Sequence, residues 1–263
     1  MKIKAIVTGG CGFVGSNLVD KLVSLGYEVI VVDDLSSGKR EHMNQGAKYV
    51  FEDFKTYLLE PDQSVDVVFN LAAQSRIQPS FKSPLYACLN NSYGSSIVGE
   101  FARHSNSKVV YAGSSSFYGG VYLNPYAFTK WQGEESLKLY HEVYNVPVGI
   151  ARFFNVYGPR NPLIGQYTPV VAIFEEQYKN RETLTIVGDG EQRRDFTHVY
   201  DICDGLIEIS KGNWKGDVFN LGTGINHSIN ELADLFGGDK KYLPSRPGEA
   251  RITLADISFT TSM

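Results

Sequence analysis

The chain has 263 residues, 43% hydrophobic and 21% charged, with a formal net charge of -4. This is ordinary globular composition, and the charges are spread without long like-signed runs, which argues against a nucleic-acid binder or a protein that coats an anionic membrane. The opening MKIKAIVTGG is too short an apolar run for a signal peptide, no later stretch could span a bilayer, and Cys11, Cys88 and Cys203 lack metal-ligand spacing. A cytoplasmic protein with reduced thiols and no metal site is expected.

In chain order, KIKAIVTG, YEVIVVDD, AKYVFED, VDVVFNLA, SKVVYAGS and VPVGIARF are short apolar runs rich in β-branched residues and read as strands. Between them, FVGSNLVDKLVSLG and the stretch from Tyr126 to about Tyr144 read as helices. This alternation predicts an α/β fold, a Rossmann-type doubly wound parallel sheet with helices on both faces. After about residue 155 the rhythm loosens at Pro159, Pro162 and Pro169. The expected division is therefore a parallel-sheet domain over 1–155 and a smaller C-terminal lobe over 156–263.

The first functional signal is TGGCGFVG, residues 8–15, after the first strand and before the first helix. Gly9, Gly12 and Gly15 stand at three-residue spacing. Such glycines allow a positive φ, let backbone approach a pyrophosphate and let helix and strand pack closely. The helix start then offers free N–H groups to phosphates. Asp33 closes the second strand, 18 residues after Gly15, where a carboxylate can accept both ribose hydroxyls. That carboxylate favours NAD over NADP by repelling a 2′-phosphate, although Lys39 and Arg40 follow closely enough to bind one. Asp53, after the third strand, fits either an adenine contact or a helix cap.

NPYAFTK, residues 124–130, sets Tyr126 and Lys130 four positions apart. Sixteen tyrosines and fifteen lysines supply about one such spacing by chance, and the chain has one, so the pair by itself carries no information. Its position does: Pro125 suits a helix start, and the pair follows the strand ending in GSSSFYG, near the strand ends where cofactors bind.

With the glycine turn, VVDDL, EDF, NLAAQS, GSSSFYG and PYAFTK in this order, the chain resembles the extended short-chain dehydrogenase/reductase family. Within it, the likeness is to nucleotide-sugar epimerases, closest to the UDP-glucose 4-epimerases. It runs from Lys2 to about Ser258 and includes RFFNVYGPRN, LTIVGDGEQRRDFTHVYD, FNLGTG and RPGEAR.

The resemblance implies Ser114 as the residue that orients the sugar hydroxyl, Tyr126 as acid/base and Lys130 as its activator, with both Tyr126 and Lys130 against the cofactor. It places Phe13, Val14, Asp34, Ser37, Gly38, Asp53, Phe54, Leu71, Ala72, Ala73, Asn91 and Phe153 at NAD. It places Asn155, Arg194 and Arg246 at the substrate diphosphate, Thr185 and Val187 around the nucleobase, and Glu249 near its ribose. Thr253 matches a position that limits bulk at the sugar 2-substituent, and its small size implies room for N-acetylhexosamines. Arg193 and Arg194 beside Asp195 also fit a structural ion pair, and His198 reads as structural.

The implied reaction is 4-epimerisation of a UDP-sugar through a transient 4-keto intermediate with tightly bound NAD. Sugar 4,6-dehydratases carry Asp-Glu after the Ser/Thr position, and UDP-glucuronate decarboxylases usually keep a glutamate at the second place. Here these are Ser115 and Ser116, which leaves dehydratase and decarboxylase as the alternatives, beside a non-catalytic NAD-binding regulator. Relatives have a longer loop before the catalytic tyrosine, where this chain has only GVYLNP, residues 120–125. They also continue past ADISFTTSM, so a shortened lobe is expected. A homodimer is implied through the Tyr126 helix and the one before it, about Pro84–His104. Phe128, Trp131, Leu137 and Tyr140 are candidates either for that contact or for the core.

Overall fold

The structure, a computed structural model, describes residues 2–59, 64–162 and 168–262. All six expected strands form: β1 (Lys4–Thr8), β2 (Glu28–Val32), β3 (Lys48–Val50), β4 (Val67–Asn70), β5 (Lys108–Ser114) and β6 (Val148–Phe153). Between them run α1 (Phe13–Ser24), α2 (Phe54–Tyr57), α3 (Ile77–Lys82), α4 (Pro84–Ala87), α5 (Gly94–Ser105), α6 (Ser116–Gly119) and α7 (Pro125–Tyr144). There follow β7 (Val156–Tyr157), α8 (Val170–Lys179), β8 (Leu184–Val187), β9 (Arg193–Arg194), β10 (Thr197–His198), α9 (Val199–Lys211) and β11 (Lys215–Leu221). The last elements are β12 (His227–Ser228), α10 (Ile229–Phe236), β13 (Lys240–Leu243) and α11 (Ser258–Thr261). No helix among the described residues is long and apolar enough to cross a membrane.

The large sheet has the order β11-β6-β5-β4-β1-β2-β3, and every neighbouring pair is parallel. Successive residues of a strand face opposite sides, so both faces must be covered. Ala5 and Val7 enter a core with Leu18 of α1 and Ile202 and Leu206 of α9. Ile6 enters the other, with Val98 and Phe101 of α5 and Leu137 of α7. The order reverses between β1 and β4, and the crevice at their carboxyl ends is where such a sheet admits a ligand.

Residues 199–221 do not stay with the lobe expected at 156–263. α9 packs beneath the sheet and β11 extends it, pairing with β6 from Val218↔Ile150 to Leu221↔Phe153. The apolar face of α9, with Ile202, Cys203, Leu206 and Ile209 buried, needs a sheet to cover it. The lobe proper is β8 paired with β13, closed by α8 and α10 around Phe174, Leu184, Ile186, Ile229 and Ala233.

α7 is fastened to this frame by a buried ion pair. Arg152 of β6 donates to Glu134 at 2.6 Å, with side chains only 6% and 1% exposed, and its guanidinium also stacks 3.6 Å over the Phe117 ring. Truncating one member of such a pair strands the other charge in a low-dielectric interior. Glu134→Ala is expected to lower stability by about 3–5 kcal/mol in urea titrations; a loss under about 1 kcal/mol would show that the pair does not anchor the helix.

Candidate active site

At the end of β1 the chain turns through Gly9, at φ +70, so close to the next loop that a Cβ there would lie 2.9 Å from the Ala72 nitrogen. A Cβ on Gly15 would lie 2.2 Å from the Gly9 carbonyl oxygen. Gly12 begins α1 with no side-chain cap, which leaves the first N–H groups of the helix available to an anion. Asp33 braces this turn: its carboxylate accepts from the Cys11 and Leu35 N–H groups, each at 2.8 Å. Burial raises the Asp33 pKa, and those two hydrogen bonds oppose the rise.

These residues form one end of a cavity of about 560 Å³. Of the positions expected at the cofactor, Gly9, Gly12, Phe13, Val14, Gly15, Asp33, Asp34, Ser37, Phe54, Leu71, Ala72, Ala73 and Phe153 line it. Gly38, Asp53 and Asn91 do not. Gly38 backs the Asp33 carboxylate, which a Cβ there would meet at 2.8 Å. Asp53 caps α2 by accepting from the Lys55 N–H and is paired with the Lys55 ammonium at 2.8 Å, so of its two readings the structure displays the cap. Asn91 is buried and braces the Gln74 backbone. Lys39 is paired with Glu41 and Arg40 stacks 3.8 Å over Phe51, so both are engaged outside the cavity. A turn this tight, an uncapped helix start and a buried carboxylate at the adjacent strand end together fit NAD.

The middle of the cavity is built from β5 and α7. Ser114 ends β5, and its Oγ accepts from the Ser116 hydroxyl at 2.9 Å and the Ser116 N–H at 3.2 Å. With both lone pairs used, its own proton is directed elsewhere; Tyr126 lines the same cavity. Asn124 caps α7 by accepting from the Ala127 N–H at 2.8 Å, Pro125 holds the first helical position, and the Tyr126 N–H donates to Ser80 Oγ at 3.0 Å. Burial raises the phenol pKa, while the Ser114 hydrogen bond and the charge of Arg76 lower it. Lys130, one turn on, is buried with its ammonium 4.2 Å from the Tyr111 ring centroid. Burial pushes its pKa down to about 7, against the pull of Glu134. Arg76, in the same lining, is absent from the motifs read in the sequence; its only signal there is a cation following NLAAQS.

At the far end stand Thr185 and Val187 of β8, Arg194 of β9, and Arg246 and Glu249 beyond β13. Asn155 donates to the Asp195 carbonyl at 3.1 Å and to Thr253 Oγ1 at 3.0 Å. The ion pair considered for Arg193, Arg194 and Asp195 does not form. Arg193 turns to Glu231 at 2.8 Å, Arg194 is 3.8 Å from Glu249, and the Asp195 carboxylate accepts from Thr223, Gly224 and Ala255. His198 is structural, its Nδ1 accepting from the Tyr200 N–H to cap α9.

The space beside the short loop is filled from the C-terminal side. Residues 246–250 dock there, with Gln78 donating to the Pro247 carbonyl at 2.9 Å and Asn124 to the Gly248 carbonyl at 3.0 Å. A Cβ on Gly119 would lie 2.9 Å from the Ala250 Cβ. The acids lining the cavity among the described residues are Asp33, Asp34 and Glu249, and Ser115 and Ser116 bring none.

Burial of Lys130 has a measurable consequence. The unfolded chain binds one more proton than the native protein between about pH 7 and 10.5, so stability rises with pH across that window. Lys130→Met is expected to be the more stable protein at pH 7, with the gap narrowing towards pH 10. Urea titrations at both pH values check this, and a gap that widens with pH would contradict it.

Residues 5–222 match the NAD dependent epimerase/dehydratase family. A UDP-glucose 4-epimerase of Mycolicibacterium smegmatis is 32% identical over 97% of the chain and 90% of its own length. Among solved structures, UDP-glucose 4-epimerase of Thermotoga maritima with UDP-glucose superposes with a TM-score of 0.93 at 30% identity, covering 99% of this chain and 92% of that one. A UDP-N-acetylglucosamine 4-epimerase of Methanobrevibacter ruminantium in complex with UDP-N-acetylmuramic acid gives 0.90 at 34% identity, with the same coverage. The turn, the Ser114–Tyr126–Lys130 arrangement and the extent of these matches agree: the chain belongs to the NAD dependent epimerase/dehydratase family.

Proposed function

We propose that the chain is a UDP-hexose 4-epimerase that works through a transient 4-keto sugar. The observation that carries this reading is that Ser114, Tyr126 and Lys130 stand together in one cavity that joins the glycine turn to Arg194. NAD, when bound at the turn, supplies the hydride acceptance and return. Tyr126 takes the proton of the sugar 4-hydroxyl and gives it back to the 4-oxygen. Ser114, held by Ser116, orients that oxygen. Lys130 lends partial positive charge to the phenolate side of the equilibrium. Arg194 and Arg246 suit the diphosphate, since a guanidinium fork binds phosphate oxygens in pairs.

Elimination and decarboxylation are less well served, because Ser115 and Ser116 offer no carboxylic acid beside the sugar position. A silent NAD-binding regulator would not need Ser114, Tyr126 and Lys130 gathered in one cavity. Thr253 is small, and its hydroxyl is taken up by Asn155, which supports acceptance of N-acetylhexosamines as well. The unpaired cysteines suit a cytoplasmic setting.

The chain is expected to form a homodimer through α4, α5 and α7. Leu137 belongs to the core, but Leu85, Leu89, Leu139 and Val143 are exposed at 70%, 44%, 58% and 56%. Leu89→Glu combined with Leu139→Glu should convert a dimer to a monomer in sedimentation velocity; a wild-type monomer at tens of micromolar would exclude this assembly.

Purified protein is expected to interconvert UDP-glucose and UDP-galactose, and to accept UDP-N-acetylglucosamine. Tyr126→Phe should lower kcat by about 10³-fold while bound NAD is retained. Turnover of UDP-glucose to a dehydrated or decarboxylated product, or none of any UDP-sugar, would sink the reading.

A further inference from the structure

Tyr126 has a neighbour that the tyrosine–lysine spacing does not announce. Arg76 stands at the start of α3 and lines the cavity with Ser114 and Tyr126. The two helix starts are stitched together through Ser80, whose Oγ accepts from the Tyr126 N–H at 3.0 Å and whose own N–H donates to the Arg76 carbonyl at 3.3 Å. This fixes the backbone of Arg76 relative to that of Tyr126.

Among the described residues no carboxylate is ion-paired with the guanidinium, and the charge that bears on it is that of the Tyr126 phenol, in the same cavity lining. A desolvated guanidinium with no carboxylate beside it favours whatever anion the site can form. The groups that face the phenol come from three elements: Ser114 and Tyr111 of β5, Arg76 at α3, and Glu134 of α7. Lys130 lies on the same helix, one turn beyond. Glu134 disfavours the phenolate, but its charge is shared with Arg152 at 2.6 Å. Lys130, pushed down to about 7, is only partly charged near neutrality, whereas arginine stays charged there.

We infer that Arg76 is a third member of the acid/base group, a positioning residue whose guanidinium stabilises the Tyr126 phenolate and so sets the pH at which the tyrosine can accept a proton. The inference rests on the epimerase reading for its role in turnover. The proton moves from the sugar oxygen to the phenolate oxygen and back, and Arg76 keeps its own protons throughout. Lys130 then has the lesser share in holding the phenolate, and the tyrosine–lysine pair becomes a set drawn from two helices.

The test titrates Tyr126 directly, by NMR of protein labelled with carbon-13 at the tyrosine Cζ, the resonance being identified by its loss in Tyr126→Phe. In Arg76→Met the phenol is expected to titrate about one pH unit higher, with Arg76→Lys restoring most of the difference. The acid limb of kcat/KM should move with it, giving about tenfold lower kcat/KM on that limb and convergence with wild type at high pH. An unchanged titration in Arg76→Met would overturn the inference. So would a rise in KM alone, confined to sugars that carry a carboxylate, which would make Arg76 a clamp on the substrate. The titration requires no turnover, so absence of epimerase activity would sink the proposed function while leaving this inference to stand or fall on the NMR.

Discussion

Everything in the site depends on the strands being parallel. Parallel neighbours bring all their carboxyl ends to one edge, and the long crossovers between them must lie on the faces. That single constraint gathers the turn after β1, Asp33 after β2, the loop after β4 and Ser114 at the end of β5, although these residues span more than a hundred positions. The reversal of order between β1 and β4 then sends successive helices to opposite faces and leaves a crevice with no backbone across it.

Within the crevice, charge is apportioned by burial. Asp33 is costly to bury, and two backbone N–H groups from the turn and the following loop meet that cost. Among the described residues Lys130 meets an aromatic face and a carboxylate already engaged with Arg152, and it loses much of its affinity for a proton. The same low dielectric makes each remaining cation count for more. Among the described residues, cations stand in the middle of the lining, where Arg76 and Lys130 accompany the phenol, and at the far end with Arg194 and Arg246, while the acids are Asp33 and Asp34 at the β2 end and Glu249.

The layered fold and the cofactor end were legible in the sequence because they rest on local patterns: continuous apolar runs alternating with helices, a glycine turn and a carboxylate at the next strand end. The tyrosine–lysine pair was legible only from its place after GSSSFYG. What escaped notice was non-local. α9 and β11 are separated from β6 by β7, α8, β8, β9 and β10, and nothing in their composition tells which sheet they complete. Arg76 follows a recognisable motif, but its nearness to Tyr126 arises from α3 docking on α7 through Ser80. Asp53, which the sequence allowed as an adenine contact or a helix cap, is seen as the cap of α2. Leu137 needed the register of α7 against the sheet before it could be placed in the core.

The docking of residues 246–250 against Asn124 and Gly119 means that two segments far apart in sequence share one volume. Asn124 touches both at once: one side-chain atom caps the helix that carries Tyr126 and the other holds the Gly248 carbonyl. Insertions beside Asn124 or Gly119 would press on the segment that carries Arg246 and Glu249. Between those two residues the loop is open, with Tyr122 83% exposed and nothing within 4 Å of a Cβ on Gly120. Length can therefore be added at the tip of the loop, while its two ends and residues 246–250 have to change together.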